Sequence, residues 1–219
     1  MVKGVIFDLD GTLLNTLNDL HNAVCFALSN NGIKTFDISY TKKYIGNGIK
    51  VLITRSLKHN NLEFDEKVFN DFKMYYQKHQ LDYTIPYDGI ISVLKTLKNQ
   101  GIKTAVVSNK HQEGVTSLCK MFFNDYLTVA IGSRENINLK PSCDMLLLAC
   151  NELSLTIDEC VFVGDSDVDM LTAKNAKMDV IGVTWGFRDS KVLKENEATY
   201  IVDTPNEILE IIKRRNKND

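Results

Sequence analysis

The stretch KGVIFDLDGT, residues 3–12, decides the fold of this 219-residue chain. Its first half is an almost unbroken apolar run, which is typical of a strand buried on both faces of a parallel sheet. The strand ends at Asp8, and apolar residues at helical spacing begin at Leu17, with Thr16 placed to cap that helix. A buried strand that leads through an acidic turn into a helix indicates an α/β protein.

The alternation of strand and helix resumes beyond Pro86. Apolar runs predict further strands at 102–107, near 129–131, and at 160–163, 180–183 and 200–202. Pro141 is expected in the first turn of one of the intervening helices, where its ring fits. Repeated strand-helix units imply a doubly wound parallel sheet, whose ligand site lies beyond the carboxyl ends of the strands.

The segment between Ser39 and Asp82 differs from the rest of the chain. It is rich in lysine and aromatic residues at helical spacing and contains no convincing strand. The sequence therefore predicts an α/β core domain formed by residues 1–14 and 83–219, and a small helical cap domain, residues 15–82, inserted after the first strand.

Composition narrows the classes of partner. The 26 basic and 28 acidic residues give a formal charge of −2, without the excess expected for binding nucleic acid or an acidic membrane. The five cysteines form no Cys-x-x-Cys pair, which argues against a zinc ribbon. Because no secretory signal is evident, we expect a cytoplasmic protein. The balanced charge suits a small, freely diffusing ligand, and the oligomeric state, monomer or homodimer, stays open.

Polar residues follow three of the predicted strands, and a lysine precedes the helix between the second and third. In chain order these candidates are Asp8 and Asp10, Ser108 and Asn109, Lys140, and Asp165 and Asp169. The carboxylates of Asp8 and Asp10 share a face because side chains alternate along a strand. Packing them with Asp165 would be repulsive unless a cation were present, and oxygen ligands of this kind suit Mg²⁺. Lys140 and Ser108 would then hold phosphoryl oxygens.

Each candidate also has a purely structural explanation. Asp-x-Asp followed by glycine is a common turn, Ser108 can cap a helix, and Lys140 can be a solvated loop charge. Asp165 and Asp169 suit a first helical turn, and Asp167 is assigned there as a capping residue. The combination of all these residues at successive strand ends favours a catalytic site.

These motifs resemble those of the haloacid dehalogenase superfamily. The resemblance is carried by Asp8-Leu-Asp10-Gly-Thr12, Ser108 after an apolar strand, Lys140-Pro141 and Gly164-Asp165-Ser-Asp-Val-Asp169, and it covers essentially the whole chain. Within the predicted cap, Tyr44-Ile-Gly46-Asn47-Gly48 is similar to the cap loop of phosphoglycolate phosphatase-like members. Asn15, where relatives usually carry Asp, and Cys143, in place of a frequent proline, depart from the pattern.

The resemblance implies a role for each residue. Asp8 would be the nucleophile that forms an aspartyl-phosphate, and Asp10 would protonate the leaving alcohol and then activate water. Mg²⁺ would be held by the carboxylates of Asp8 and Asp165 and by the main-chain carbonyl of Asp10, with Asp169 supporting metal waters or Lys140. Substrate contacts would come from Ser108, Asn109, Lys140, Gly46, Asn47 and Gly48.

The resemblance implies a small phosphorylated metabolite as the partner. Phosphoglycolate is the leading substrate, and several alternatives stay open. They are a pyrophosphatase, a broad-specificity phosphatase of sugar phosphates or nucleotides, and a phosphomutase, which the uncharged Gly46-Asn47-Gly48 loop disfavours. A phosphoacceptor or binding module is the alternative outside enzymes. A phosphoacceptor domain has no cap and keeps its acceptor on a central strand, whereas Asp8 follows the first strand of the chain.

Overall fold

The computed structural model describes residues 1–218, which divide into two compact units. One unit is formed by Met1–Leu13 together with the chain from Pro86 onward, and the other by Leu14–Ile85. The assignment of the second unit as a cap over the site stays a prediction.

The strands and helices alternate as expected for an α/β protein. In chain order they are β1 (Gly4–Phe7), β2 (Leu14–Asn15), α1 (Leu17–Asn30), α2 (Ile38–Tyr44), α3 (Ile49–His59), α4 (Glu66–His79), β3 (Ile85–Pro86), α5 (Ile90–Asn99), β4 (Lys103–His111), α6 (Gln112–Phe123), β5 (Val129–Ser133), α7 (Asp144–Leu153), a short 3₁₀ helix (Ile157–Glu159), β6 (Cys160–Gly164), α8 (Asp167–Ala176), β7 (Val180–Val183), α9 (Ser190–Glu195), β8 (Tyr200–Val202) and α10 (Pro205–Asn218). Among the described residues, no helix is both long enough and apolar enough to cross a membrane.

The first unit contains a six-stranded sheet with the order β5-β4-β1-β6-β7-β8. All of its neighbouring strands are parallel, which confirms the predicted doubly wound sheet. Phe7 at the end of β1 lies opposite Val106 of β4 on one side and Val163 of β6 on the other. The strand order reverses at β1, and ligands bind at such a switch point.

The internal position of β1 corrects one argument from the sequence. Being first in the chain does not place a strand at the edge of the sheet, so Asp8 follows a central strand. Its position therefore does not distinguish this protein from a phosphoacceptor domain. The inserted helices of the second unit still distinguish it from such a domain, which has no cap.

Strand β1 is buried on both of its faces, as its unbroken apolar run predicted. Val5, Ile6 and Phe7 are all inaccessible to solvent. Ile6 belongs to a core cluster with Met145 and Ala149 of α7, while its neighbours point to the opposite face because side chains alternate. Full burial of each such side chain contributes roughly 1.5–3 kcal/mol, which holds the strand that positions Asp8.

Three local predictions were wrong. Thr16 precedes α1 but makes no capping bond, because its backbone (φ −104°, ψ 5°) is not the extended form that aims the side chain at the helix. Pro141 follows a cis peptide bond, and α7 begins only at Asp144. The residue that caps α8 is Ser166, whereas Asp167 is paired with Arg188 at 2.9 Å.

The second unit, every residue of which is described, contains the four helices α1 to α4. The buried carboxylate of Asp19 fastens the start of α1 to the returning chain. It accepts hydrogen bonds from the amide of Tyr83 at 3.0 Å and from the hydroxyl of Thr84 at 2.7 Å. These bonds link residues that are far apart in the chain and close the helical insertion on itself.

Candidate active site

Asp8 lies directly after β1, where the neighbouring strand β6 holds its backbone. Its amide donates to the carbonyl of Val163 at 2.8 Å, so the pairing of β1 with β6 continues through this residue. The chain then turns through Gly11 at φ +96°, a conformation that favours glycine. Only 6% of Asp8 is exposed, so its carboxylate is fixed in a largely water-free position.

Lys140 neutralises two buried carboxylates at once. Its ammonium lies 2.6 Å from Oδ1 of Asp8 and 2.7 Å from Oδ1 of Asp169. Burial by itself would lower the pKa of Lys140, but Asp169 and Asp8 raise it above its usual range. Lys140 therefore stays charged beside Asp8.

The backbone of Lys140 is clamped by Asn109. The side-chain oxygen of Asn109 accepts from the amide of Lys140 at 2.8 Å, and its NH₂ donates to the carbonyl of Lys140 at 3.0 Å. This pair of bonds fixes the residue that delivers the ammonium. The geometry thus favours a positioning role for Asn109, in place of the substrate contact expected from the sequence.

Asp165 and Asp169 are oriented by separate sets of donors. Oδ2 of Asp165 accepts from the amide of Phe187 at 2.7 Å, and its Oδ1 accepts from the hydroxyl of Thr12 at 3.1 Å. Oδ2 of Asp169 accepts from the amide and the hydroxyl of Ser166, at 3.0 and 2.6 Å. Since the other oxygen of Asp169 is bonded to Lys140, Asp169 orients that lysine as its main role.

Three buried carboxylates form one cluster that could bind a metal ion. Within the residues that the structure describes, ligand atoms of Asp8, Asp165 and Asp169 lie within 4.8 Å of one another. Burial raises the pKa of Asp8 well above its usual range; Lys140 opposes this, and Asp169 and Asp165 add to it. Burial, followed by the charge of Asp169, raises the pKa of Asp165 to about 7.

The donor chemistry of this cluster fits a divalent cation. Three carboxylates share one lysine within the cluster, which leaves an excess of negative charge where water is excluded. Oxygen-only ligands are those of a hard cation. The carboxylate of Asp10 is not in the cluster, and the sequence had assigned its main-chain carbonyl to the metal.

Glycines let the backbone pack against these aspartates. A Cβ on Gly11 would lie 2.5 Å from Oδ2 of Asp165, and one on Gly186 would overlap the Cβ of Asp165. Gly164 is packed in the same way against Asp169. Side chains at these positions would displace the carboxylates, so the glycines help to define the geometry of the site.

Asp10 lies three residues beyond β1, and Ser108 lies within the neighbouring strand β4. Oδ1 of Asp10 is 3.1 Å from the ammonium of Lys110, but it is buried and accepts no hydrogen bond from the described residues. The hydroxyl oxygen of Ser108, which is 2% exposed, accepts from the amide of Lys110 at 3.2 Å. Its hydrogen can still be donated to a ligand.

The structure brings together most of the side chains that the sequence singled out. Asp8, Lys140 and Asp169 are in direct contact, with Asp165 beside them. Asp10 follows β1, and Ser108 and Asn109 lie in the last part of the adjoining strand β4. Gly46, Asn47 and Gly48 lie between α2 and α3 in the second unit, and their proposed contact with substrate stays a prediction.

Sequence reasoning missed several residues that shape the site. They are Thr12, Lys110, Ser166 and Gly186. Thr12 and Ser166 stand inside quoted motifs, so their position was a usable signal. Lys110 and Gly186 also stand in segments that resemble the family's, Val107-Ser-Asn109-Lys110 and Val183-Thr-Trp-Gly186. The close packing of Gly186 could not be read from them, because a glycine reveals close packing only when its neighbours in space are known.

Comparison with known proteins identifies the class. The family model described as haloacid dehalogenase-like hydrolase matches residues 5–183, and the chain belongs to this family. It is 33% identical over its whole length to a phosphoglycolate phosphatase of Neisseria meningitidis, covering 97% of that protein. It is 32% identical to a phosphoglycolate phosphatase of Colwellia psychrerythraea, covering 96% of both chains.

A solved structure from Lactobacillus delbrueckii subsp. bulgaricus, provisionally assigned as a phosphoglycolate phosphatase, has the same fold. It is 35% identical and superposes with a TM-score of 0.91, covering 96% of this chain and 98% of the other. Within the haloacid dehalogenase superfamily, this protein is therefore a phosphatase of the phosphoglycolate phosphatase-like group.

Proposed function

We propose that this protein is a Mg²⁺-dependent phosphatase that hydrolyses small phosphate monoesters through an aspartyl-phosphate on Asp8. One observation carries the proposal: the buried Asp8 carboxylate at the end of the central strand lies 2.6 Å from Lys140, in a cluster with Asp165 and Asp169. A catalytic nucleophile needs such a fixed position. Burial raises the pKa of Asp8, and Lys140, together with the metal ion proposed below, would favour its ionised form.

In the first half-reaction, Oδ of Asp8 attacks phosphorus and the bond to the leaving alcohol breaks. Lys140 and the hydroxyl of Ser108 stabilise the phosphoryl oxygens, through charge and hydrogen bonding respectively. Because Asp169 and Asn109 fix Lys140, its ammonium needs no rearrangement during the reaction.

Asp10 transfers protons in both half-reactions. It protonates the leaving alcohol and then removes a proton from the water that hydrolyses the aspartyl-phosphate. Asp10 is more exposed than Asp8, with 14% of its side chain accessible against 9%. This placement suits a group that exchanges protons with a departing alcohol and an entering water.

Asp8 and Asp165 would hold Mg²⁺ with their carboxylates, and Asp10 with its main-chain carbonyl. The bound ion would offset the repulsion between a carboxylate nucleophile and a phosphate dianion. Asp169 is committed to Lys140 and Ser166 and would act on the ion only indirectly.

Phosphoglycolate is the substrate that the relatives' names favour, since the first two share about a third of their residues with this chain over almost their whole lengths. Pyrophosphate, sugar phosphates and nucleotides are the competing substrates. The near-neutral charge supports a small metabolite as the partner, without nucleic acid or membrane. The five free cysteines fit a reducing, cytoplasmic location.

Hydrolysis of an aryl phosphate tests the chemistry. We expect turnover by the wild-type protein with MgCl₂, its loss in EDTA, and a reduction of at least about 10³-fold in Asp8→Asn. Asp158→Asn, at an exposed position outside the site, is the matched control. Full activity in Asp8→Asn would refute the assignment of Asp8 as the nucleophile. Separately, kcat/KM measured on a panel of phosphate esters would rank the substrates.

A further inference from the structure

The second lysine of the site, Lys110, has no role in the mechanism above. Its side chain is only 7% exposed, and its ammonium lies 3.1 Å from Oδ1 of Asp10. A buried ammonium is costly unless it serves a partner of opposite charge. Asp10 provides one such partner. The contact is an ion pair without hydrogen-bond geometry, since Oδ1 of Asp10 accepts no hydrogen bond from the described residues.

The position of Lys110 results from an irregularity in β4. The pairing of β4 with β5 shifts register between Val107 and His111, which changes the direction of the side chains that follow Val107. The amide of Lys110 also donates to the hydroxyl of Ser108. The strand thus delivers one side chain for the phosphoryl group and, two residues later, an ammonium beside Asp10.

The two buried lysines serve different halves of the site. Lys140 contacts the nucleophile Asp8 and its neighbour Asp169, whereas Lys110 contacts the proton donor Asp10. Asp10 must approach the leaving oxygen to within about 2.6–3.2 Å. Since Asp10 faces the leaving oxygen in this mechanism, its partner Lys110 lies beside the leaving group.

We propose that Lys110 is a specificity-determining residue that binds a carboxylate on the leaving group of the phosphate ester. The inference rests on the proposed function, because it takes Asp10 as the donor to the leaving oxygen. A carboxylate two bonds from that oxygen has its own oxygens roughly 3–3.5 Å away. Together with the 3.1 Å between Lys110 and Asp10, this distance allows an ammonium–carboxylate contact.

Two phosphate esters of equal chain length test the proposal. Phosphoglycolate and 2-hydroxyethyl phosphate share the phosphoryl group and chain length and differ in carboxylate against CH₂OH. We expect the wild-type protein to prefer phosphoglycolate in kcat/KM by about 10- to 100-fold, the range of a hydrogen bond to a charged group. Lys110→Met should abolish most of this ratio, and Lys110→Arg should retain part of it.

The ratio of kcat/KM on the two esters distinguishes two roles of Lys110: binding the substrate carboxylate, or only positioning Asp10. An equal loss on both esters in Lys110→Met would overturn the proposal, because Lys110 would then act only through Asp10. Absence of a preference in the wild-type protein would also overturn it. Lys120→Met, an exposed lysine on α6, is the matched control and should leave the ratio unchanged.

Two further measurements keep the test decisive. Glycolate should inhibit aryl phosphate hydrolysis by the wild-type protein more strongly than ethylene glycol does, which gives the comparison without a substitution if Lys110→Met fails to fold. Equal inhibition would contradict the proposal. If the wild-type protein lacked Mg²⁺-dependent aryl phosphatase activity, the proposed function would fail first, and this inference with it.

Discussion

The raised pKa of Asp165 predicts an unusual pH dependence of stability in the metal-free protein. The pKa of this carboxyl is about 7, against an ordinary value of 3.8. Between these two values the folded protein holds a proton that the unfolded chain has released. Stability contributed by this group is therefore lost as pH rises toward 7 and changes little above it.

The magnitude follows from the difference between the two pKa values. Each unit of pKa corresponds to about 1.4 kcal/mol, so the full difference is about 4 kcal/mol, of which about 3 kcal/mol falls between pH 5 and 8. Mg²⁺ binds the ionised carboxylate and should restore stability at pH 8. Asp165→Asn cannot ionise, and this part of the pH dependence should disappear.

Urea denaturation of EDTA-treated protein at pH 5 and pH 8 measures the effect. We expect the pH-dependent loss of unfolding free energy to be smaller by about 3 kcal/mol in Asp165→Asn than in the wild-type protein. Comparing the two proteins cancels the contribution of distant groups such as His21. The charge of Asp165 also raises the pKa of Asp8, so the substitution reduces the contribution of Asp8 in the same direction. Asp158→Asn is the control at an exposed carboxylate. Equal pH dependence in wild type and Asp165→Asn would refute the reasoning.

Three further substitutions test the packing around the site and within the second unit. Lys140→Met leaves Asp8 and Asp169 without their shared cation and should cost about 3–5 kcal/mol at pH 8 by urea denaturation; unchanged stability would contradict the pairing. Gly186→Ala should weaken Mg²⁺ binding about 10- to 100-fold, followed by the fluorescence of Trp185 or by calorimetry, because the added Cβ displaces Asp165; unaltered affinity would contradict the close packing. Asp19→Ala should lower the unfolding free energy by about 2–3 kcal/mol through loss of its hydrogen bonds, whereas Glu63→Ala, at an exposed acid of the same unit, should change it by less than about 0.5 kcal/mol.

The roles predicted for Asn109 and Thr16 were corrected because each depends on the three-dimensional surroundings of the residue. The sequence predicted a substrate contact for Asn109, whereas its side-chain amide is bonded to the backbone of Lys140, 31 residues away in the chain. Thr16 occupies the position before α1 without capping it, because its backbone, directly after β2, is not in the extended form that a capping side chain needs.

The sequence by itself determined the buried character of β1, the alternation of strands and helices, and the chemical types that follow each strand. These properties depend on a period of two or of 3.6 residues, and a short window of sequence contains all the information needed. The nucleophile candidate Asp8 could be assigned in this way because it directly follows an apolar run.

The tertiary structure alone decided which of these groups meet. Asp8 and Lys140 are 132 residues apart in the chain, and their contact depends on β1 lying between β4 and β6. The strand order is selected by the packing of the whole core, to which each residue contributes little. For the same reason, the pairing of Lys110 with Asp10 and the packing of Gly186 against Asp165 could be recognised only in three dimensions.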